Sequence, residues 1–541
     1  MGERSPRNMT DYEAEFAAFT WDRPERFNFA IDVVDRWASE RPDAPAMLHC
    51  DDRGNRKVYS WRELAERSVH AALFLRDLGL RPGDGVFTML PRLAEWWILA
   101  LGCMRANLVL MPGTTMLTAK DVKYRLELGR ARAVVTTAEH LPKFEVGAHA
   151  DVIAWVCTDE GPLPWIRFRT QTVDGARAAE FPDTAADDRM LVYFTSGTTG
   201  MPKMVPQTHA SYGLGHAITG KYWLDLGPDD VHFTLSDTGW AKCAWGKVFG
   251  PWSQGACSVV YDFRGRFDAK AILDLLAREK VSTFCAPPTA WRAIVLEDLG
   301  KWRFPELRHV VSAGEPLNPE VIDAWKRATG LTIREGYGQT ETVAVVGMFQ
   351  CMPFKPGSMG RPSPGFDVRV IDHEAREVAV GQEGDIAVRV KPERPVGMFA
   401  GYLGDEATNA AAFRGDFYVT GDRAVRDEDG YLWFVGRADD VIKTSGYRVG
   451  PFEVESALLE HPAVAESAVV GVPDDKLGQR IKAFVVLKSN VVASEALATA
   501  LQDHVKRTTA PYKYPREISF VSELPKTVSG KIRRVELRQK R

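Results

Sequence analysis

The chain has 541 residues, of which 45% are hydrophobic and 26% are charged, and its formal net charge is −3. This length exceeds a single hydrophobic core and predicts two or more domains, while the near-neutral charge excludes a generally basic nucleic-acid-binding protein. The seven cysteines form no C-x-x-C pair, which argues against a disulfide framework or zinc site and predicts a reduced, cytoplasmic protein. No stretch approaches the roughly 20 apolar residues of a membrane span. The charged N-terminus lacks the apolar core of a secretory signal.

Helical and strand patterns alternate through the N-terminal part of the chain. Apolar residues at helical spacing predict helices, and short apolar runs predict strands. The predicted helices cover residues 28–39, 60–78, 94–105 and 118–128, and the predicted strands cover residues 86–90, 109–111 and 133–137. Residues 141–187 show no regular pattern. The alternation indicates a mostly parallel α/β sheet that is covered on both faces.

A segment rich in glycine and hydroxyl groups follows the strand predicted at residues 190–194. It has the sequence YFTSGTTGMPK over residues 193–203. Glycine lets a backbone approach an anion closely. The hydroxyls, the backbone N–H groups and Lys203 supply donors and positive charge. We therefore predict a polyphosphate-binding loop at the end of a strand, where open α/β sheets place ligands. It lacks the Gly-Lys-Ser/Thr ending of the common phosphate loop.

Three tryptophans fall within thirteen residues after a predicted helix at residues 209–220. They are Trp240, Trp245 and Trp252, and Lys242 and Lys247 lie among them. One interpretation is an aromatic wall that contacts an acyl group. The other is a buried helix with a solvated lysine edge, and the local sequence does not choose between the two.

The predicted secondary structure changes in the second half of the chain. Helix–strand alternation continues through residues 267–314, and a further strand ends within residues 331–341. From residue 357 onward, short alternating strands with frequent Gly, Pro and Asp predict an antiparallel module. A compact α+β set follows. The predicted organisation is a large domain of residues 1–436 that includes a β module at about 357–436, a hinge at residues 437–440, and a small domain of residues 441–541.

Candidates for nucleotide binding occur in the order that nucleotide chemistry needs. Tyr337, within GYGQTE, offers a flat ring to a base, and Thr340 can donate to a phosphate. Glu341 is a hard oxygen ligand suited to Mg²⁺. Asp422 can accept hydrogen bonds from both ribose hydroxyls. Three basic residues can reach ribose or phosphate: Arg437, Arg448 and Lys531.

Five segments together resemble the signatures of adenylate-forming (AMP-binding) enzymes of the acyl-CoA synthetase branch. They are YFTSGTTGMPK, GYGQTE, YVTGDR, GRADDVIKTSGYRVGPFEVE and LPKTVSGKIRR, and they span residues 193–534. The segments AGEPLNPE, LEHPAV and TAPYKYPR make the resemblance greatest to medium-chain acyl-CoA synthetases. The resemblance implies an α/β fold with a large N-terminal domain, a smaller antiparallel β module and a small, mobile α+β C-terminal domain.

The resemblance also implies an activity and its partners. The expected protein is an ATP-dependent carboxylic acid:CoA ligase that forms AMP and uses ATP, Mg²⁺ and coenzyme A. Its expected substrate is a short-chain, medium-chain, branched or aromatic carboxylate. The expected partners include no nucleic acid, no membrane span is expected, and a homo-oligomer is compatible with the sequence.

Individual positions take their expected roles from the same resemblance. ATP and AMP binding is implied for Thr195, Ser196, Gly197, Thr198, Thr199, Gly200, Lys203, Gly314, Glu315, Pro316, Tyr337, Gly338, Gln339, Thr340, Asp422, Arg437, Arg448 and Lys531. Of these, the catalytic residues are Lys531, Thr340 and Lys203. Mg²⁺ is assigned to Glu341 and Thr195, CoA to Ser445, Gly446, Tyr447 and Lys476, and the acyl pocket to Trp240, Lys242, Trp245 and Gly338. Asp439 is the implied hinge residue.

One position departs from the family pattern. Some relatives carry an arginine for a CoA phosphate within the segment that corresponds to residues 473–480. Lys476 and Arg480 flank Leu477 here. The residue that holds the CoA phosphates therefore stays open.

The expected chemistry suits a site without a catalytic triad. A carboxylic acid with a pKa near ~4 is already ionised at pH 7, so the reaction needs charge neutralisation and alignment more than a general base. Three alternatives share some of the motifs: an adenylating enzyme that passes its acyl group to a carrier protein in trans, a luciferase-type oxygenase, and a degenerate nucleotide sensor. The medium-chain resemblance argues against the oxygenase, and the intact signatures argue against the sensor.

Overall fold

Within the described residues, four β-sheets organise the chain, and helices pack on them. The computed structural model describes residues 5–169, 181–195, 202–444, 447–474, 477–489, 491–526 and 532–539. The fold class expected from the sequence is confirmed: two α/β sheets precede an antiparallel β module, and a small α+β unit follows.

The N-terminal sheet is parallel apart from one edge strand. Its strands, from edge to edge, are Ile166–Arg167, Ala154–Cys157, Ala131–Thr136, Gly85–Met89, Val109–Pro112, Arg189–Thr195 and Lys203–Thr208. The last two run antiparallel, and Thr195 pairs with Lys203. Both ends of the predicted phosphate loop are therefore held by strand pairing. The tip, residues 196–201, lies outside the described residues.

Helices cover both faces of this sheet, so its central strands are buried on both sides. Trp61–Asp77 and Ala94–Arg105 pack with Val86 in one cluster. Ala119–Gly129 packs with Phe87 on the other side. The side chains of a strand alternate between its faces, so neighbouring residues enter different clusters.

The second large sheet carries a parallel core flanked by antiparallel edges. Its strands, in spatial order, are Arg361–Pro362, Ala344–Gly347, Ile333–Gly338, His309–Ala313, Thr283–Ala286, Val231–Thr234, Cys257–Asp262, Pro45–Asp51 and Arg56–Ser60. Helices Ala269–Arg278 and Pro319–Thr329 pack on it through apolar faces.

The two smaller sheets form the β module and the C-terminal unit. The module is antiparallel and consists of Val368–Ile371, Glu383–Arg389, Phe413–Arg414, Phe417–Arg426 and Leu432–Arg437. The C-terminal sheet consists of Ile442–Thr444, Tyr447–Val449, Val464–Asp474, Gly478–Leu487 and Glu517–Phe520. Helices Pro451–Leu459 and Glu495–Thr508 share its apolar core. The segment from residue 438 to residue 441 joins the two sheets.

Shorter helical segments complete the fold. The α-helical ones are Tyr12–Ala18, Arg36–Glu40, Gly215–Ile218, Ala241–Ala244, Gly250–Ser253, Pro288–Ile294, Glu406–Ala412 and Arg534–Gln539. The π-helical ones are Phe29–Asp35, His209–Leu214, Thr219–Trp223 and Trp245–Phe249. The 3₁₀ turns are Ala138–Lys143, Leu299–Lys301 and Pro511–Lys513. None of the helices in the described ranges combines the length and apolar character needed to cross a bilayer.

The expectation that residues 141–187 are irregular is wrong in part. The strands Ala154–Cys157 and Ile166–Arg167 lie there and extend the N-terminal sheet. The first has four residues, all buried, and the second has two. Runs this short do not establish a periodic pattern, so only pairing with the neighbouring strand reveals them.

A buried arginine joins two strands at the edge of the second sheet that is remote from their carboxyl ends. Arg308 donates to Asp225 at 2.6 Å and to Asp230 at 2.8 Å, and it precedes the strand His309–Ala313. All three side chains are buried. Asp225 also accepts from the backbone N–H of Arg7 at 3.0 Å, which ties the N-terminal arm to the sheet.

We expect Arg308→Met to lower the free energy of unfolding by about 3–5 kcal/mol, because it removes the buried guanidinium that pairs with both carboxylates and leaves Asp230 with the exposed Arg7 at 3.8 Å. Urea denaturation followed by tryptophan fluorescence measures the change. Arg62→Met, which breaks the exposed pair with Asp43, is the control and should cost less than about 1 kcal/mol. Equal losses in the two variants would contradict the prediction.

Candidate active site

A cleft of about 1840 Å³ runs along the carboxyl ends of the strands of both large sheets. Its lining includes residues that end or directly follow parallel strands: Thr195, Leu235, Pro287, Gly314 and Gly338. Open α/β sheets bind ligands at this edge. The cleft is therefore the candidate active site.

Most of the residues singled out in the sequence meet in this one cleft. The lining contains Thr195, Lys203, Trp240, Lys242, Trp245, Gly314, Glu315, Pro316, Tyr337, Gly338, Gln339, Thr340, Glu341, Asp422, Arg437 and Asp439. They come from segments more than 200 residues apart in the chain. The sheet edges, rather than sequence proximity, bring them together.

Other predicted site residues do not join this lining. Tyr447 is half exposed and stacks on Tyr512 with ring centroids 4.1 Å apart, and Arg448 lies in the same strand, Tyr447–Val449. Arg480 donates to Glu517, so its guanidinium is engaged within the small sheet. The predicted positions outside the described residues are Ser196, Gly197, Thr198, Thr199, Gly200, Ser445, Gly446, Lys476 and Lys531.

A buried carboxylate is the centre of the polar end of the cleft. Asp422 accepts from the Tyr337 hydroxyl at 2.6 Å and from the Gln339 amide at 2.8 Å, both at Oδ2. Arg437 donates to Oδ1 of Asp422 at 3.1 Å, and the two residues also pair across the antiparallel strands of the β module. Burial raises the pKa of the Tyr337 hydroxyl well above its ordinary value, and the Asp422 charge adds to the shift, so Tyr337 stays a donor.

Close backbone contacts explain the two glycines that flank Tyr337. A Cβ on Gly336 would lie 2.4 Å from the indole of Trp223, and a Cβ on Gly338 would lie 2.2 Å from the Val343 carbonyl. Larger residues would push the strand away from these neighbours. The Gly-Tyr-Gly pattern thus lets the strand Ile333–Gly338 place Tyr337 beside Asp422.

Glu341 lies in the turn between Ile333–Gly338 and its antiparallel neighbour Ala344–Gly347. Its carboxylate is buried and accepts from the Tyr402 hydroxyl at 2.8 Å. Burial raises the pKa of this carboxyl. The ammonium group of Lys203 lies 5.3 Å from the Tyr402 ring centroid, so Lys203 and the Glu341 carboxylate share Tyr402 as a neighbour.

Indole rings line another part of the cleft. Trp240 and Trp245 belong to the lining together with Trp223, whose ring centroid is 5.7 Å from that of Trp245. Lys242 donates to the carbonyl of Ala313. Lys247 is only 1% exposed, so a solvated lysine edge is wrong for that residue. The segment is both a buried helical run and an aromatic wall.

Some cleft residues carried no role in the motif reasoning. Arg292 lies 4.0 Å from Glu315, Tyr402 holds Glu341, and His216 and Glu335 contribute buried polar groups. Glu335 immediately precedes the Gly-Tyr-Gly motif, so its place in the sequence could have indicated that it lies near the cleft. Nothing in the sequence around Arg292, Tyr402 or His216 distinguishes them from ordinary helix or loop residues.

The small domain contributes one side of the cleft. Glu455 and Arg534 belong to the lining and form an ion pair at 2.7 Å. Asn318 of the large domain donates to Ser456 at 3.0 Å. Arg538 donates to the carbonyl of Asp439 at 3.2 Å. The last helix therefore contacts the predicted hinge directly.

The described residues do not contain a group of three His, Cys, Asp or Glu side chains that could enclose a metal ion. Beside the Lys203–Tyr402 contact, the cleft offers the buried carboxylate of Glu341. Mg²⁺ is commonly held by one or two carboxylates together with substrate phosphates. The donor set fits an ion that arrives with a nucleotide, and Glu341 would be its protein ligand.

Glu335 is a carboxyl group in a strongly desolvated position. It is 6% exposed and accepts from the backbone N–H of Leu317 at 2.7 Å. Burial raises its pKa from 4.5 to about 8. The folded protein therefore binds a proton that the unfolded chain releases between these two pH values.

As pH rises from about 5 to 8, we expect the contribution of Glu335 to the free energy of unfolding to fall by about 1.4 kcal/mol per pH unit. Glu335→Gln removes the titration, so its melting temperature relative to wild type should rise over that range. Thermal melts at several pH values measure the difference. The exposed change Glu40→Gln is the control and should keep the wild-type pH dependence. A constant difference between Glu335→Gln and wild type would contradict the assignment.

Comparison with known families gives matches along most of the chain. Residues 34–403 match the family model described as AMP-binding enzyme, and residues 453–531 match the AMP-binding enzyme C-terminal domain. The chain is 47% identical over 550 residues to acyl-coenzyme A synthetase ACSM3 of Mus musculus, covering 99% of this chain and 94% of that protein. It is 47% identical over 526 residues to Mus musculus ACSM5, covering 95% and 91%.

A solved structure shows the same similarity in three dimensions. The anthranilate CoA ligase AuaEII in complex with anthranoyl-AMP superimposes with a TM-score of 0.85 at 30% identity, over 95% of this chain and 97% of that one. The Mus musculus relatives are named as mitochondrial enzymes. The cytoplasmic location expected from the free cysteines is therefore wrong, because reduced thiols do not distinguish the cytoplasm from the mitochondrial interior.

Proposed function

We propose that this chain, which belongs to the AMP-binding enzyme family, is an acyl-CoA synthetase that activates a carboxylic acid with ATP and transfers the acyl group to coenzyme A. The observation that carries the proposal is the convergence of the Asp422 network, Glu341, Lys203 and the indole wall on one cleft. The substrate is a short-chain, medium-chain, branched or aromatic carboxylate, since apolar and aromatic tails suit that wall.

The polar end of the cleft would hold the nucleotide. The ring of Tyr337 would stack on adenine beside Gly314, Glu315 and Pro316. Asp422 would accept from the ribose, because its Oδ1 receives one protein donor and keeps a lone pair. Residues 195–203 would bind the phosphates, with Thr340 close to the α-phosphate and Arg448 available to phosphate after the small domain moves.

The residues suit a two-step ligation. The substrate carboxylate attacks the α-phosphorus of ATP, and the bond to pyrophosphate breaks. The thiol sulfur of CoA then attacks the acyl-adenylate carbonyl, loses its proton, and AMP leaves. In both steps the protein aligns anions and supplies positive charge through Lys203, Arg437 and Lys531, because preorganised charges stabilise the transition state in a dry site.

Mg²⁺ would be held by Glu341 and the hydroxyl of Thr195, together with the phosphates of ATP. Such an ion supplies neutralisation of phosphate charge. The raised pKa of Glu341 reflects its burial, and a divalent cation nearby favours the ionised form. Tyr402 orients this carboxylate by hydrogen bonding to Oε1.

The small domain has to serve both steps from one hinge. We assign the hinge to Asp439, whose carbonyl Arg538 holds and whose neighbour Asp440 pairs with the same arginine. Rotation there would withdraw Lys531 and bring the segment around Ser445, Gly446 and Tyr447 to the cleft for CoA. Lys476 would contact CoA from the same domain.

The direct test is AMP release from ATP in the presence of CoA and a panel of acids. The panel runs from acetate to decanoate and includes benzoate. We expect AMP, pyrophosphate and a thioester in equal amounts from at least one acid. Purified, folded protein that releases no AMP with any of these acids would refute the proposal.

Two variants should separate the two half-reactions. Asp439→Pro restricts the hinge backbone, so it should retain pyrophosphate exchange and lower thioester formation by at least about tenfold. Lys531→Ala should abolish adenylation and still convert a supplied acyl-adenylate to the thioester.

Glu428→Pro tests whether any proline in an exposed turn has the same effect, and it should leave both half-reactions intact. Equal loss of both half-reactions in Asp439→Pro would refute the hinge assignment. Loss of the second half-reaction in Lys531→Ala would show that its role is misassigned.

A further inference from the structure

A buried imidazole faces the aromatic part of the cleft with one nitrogen unused. His216 belongs to the helix Gly215–Ile218, is 1% exposed and contributes to the cleft lining. Its Nδ1 lies 3.1 Å from the hydroxyl oxygen of Thr219. Within the described residues, its Nε2 has no hydrogen-bond partner. A buried polar atom of this kind destabilises the fold unless a ligand or water satisfies it.

A second unused polar atom lies on the same wall. The hydroxyl of Tyr193 is buried, lines the cleft, and has no partner in the described part of the chain. Tyr212 connects the two residues, since its ring centroid is 6.3 Å from that of Tyr193 and 4.5 Å from that of His216. Tyr212 itself is satisfied, because its hydroxyl donates to the Thr340 carbonyl at 2.8 Å.

The surroundings of these two atoms are aromatic. The His216 ring stacks on Trp245 and Phe249 with centroids 6.4 Å away in both cases. Trp223 and Trp245 continue the wall towards Tyr337. The tail of an acid bound here would contact aromatic rings on most sides. Only substituents at particular positions of the tail would meet the two unpaired polar atoms.

The imidazole is neutral in this environment. Burial lowers the pKa of His216 to about 3, so the ring does not carry a charge at neutral pH. The Thr219 hydroxyl can donate to Nδ1 or accept from it, and the free Nε2 is a donor in the first case and an acceptor in the second. A neutral ring suits a hydroxyl or amino group and gives no counter-charge to a second carboxylate.

We propose that the free Nε2 of His216, with the Tyr193 hydroxyl, selects carboxylic acids whose tails carry a hydroxyl or amino group. This inference rests on the proposed function, since it concerns the acid that the ligase activates. His216 is then a specificity-determining residue that binds the substrate tail and takes no part in the bond changes. Dicarboxylic acids are disfavoured by the same pocket.

Matched pairs of acids test the inference. Benzoate is compared with its 2-, 3- and 4-hydroxy and amino derivatives, and hexanoate with 6-hydroxyhexanoate and adipate. In the wild type, at least one hydroxy- or amino-substituted acid should have a higher kcat/KM than the unsubstituted acid. His216→Leu should lower that ratio about tenfold. The loss should fall mainly on the KM of the acid, because the tail is bound equally before and during reaction.

Two further variants make the test specific. Tyr193→Phe should lower the same ratio, and His216→Gln should retain part of it because an amide also donates and accepts. His232→Leu is the matched control. His232 is equally buried, but its nitrogens pair with Thr283 at 2.6 Å and Thr234 at 2.7 Å, so the ratio should not change.

The outcomes separate the two proposals. If no acid yields AMP, the proposed function fails. If parent acids yield AMP but every substituted acid is poorer in the wild type, or His216→Leu leaves the ratios unchanged, the enzyme stands and the specificity proposal is overturned. In that case a water molecule, and not a substrate group, satisfies His216.

Discussion

The carboxylate of Asp422 is the contact on which the arrangement of the cleft depends. It is buried, and a buried charge is tolerated only when donors surround it. Those donors come from three places: Tyr337 at the end of a strand of the second large sheet, Gln339 in the turn that follows, and Arg437 at the last strand of the β module. Because these groups must meet one carboxylate, the Tyr337 ring, the β module and the end of its last strand at Arg437 keep a common geometry.

Around this centre the cleft has two chemical characters. Charged and hydrogen-bonding groups cluster where Lys203, Glu341 and Arg437 line the cleft, and indole rings form the wall near Trp245. This division suits a reaction that joins an anionic nucleotide to an acid with a less polar tail. The C-terminal unit closes one side through the hydrogen bond from Asn318 to Ser456, and its last helix contacts Asp439, the predicted hinge residue.

The sequence predicted secondary structure best where the pattern was long and strong. The helix Ala94–Arg105 was predicted to the residue, because twelve mostly apolar positions lie between a strand and a loop. The four-residue strand Ala154–Cys157 was missed because a run of that length has no period to measure. Most of the described motif residues line one cleft, but Tyr447 does not, and Lys247 is buried among rings. The location inferred from the cysteines was wrong, since thiols report a redox state and not a compartment.

The sequence by itself determined the family, the reaction class and the order of the segments predicted to bind the nucleotide, because those properties reside in short stretches whose residue types follow from the chemistry. Only the tertiary structure decided which groups are buried and which remain without partners. Tyr402 reaches Glu341 across 61 positions of the chain, Glu335 is desolvated by burial, and among the described residues the Nε2 of His216 has no hydrogen-bond partner. Burial and pairing depend on residues that are distant in the chain, so local pattern does not contain them.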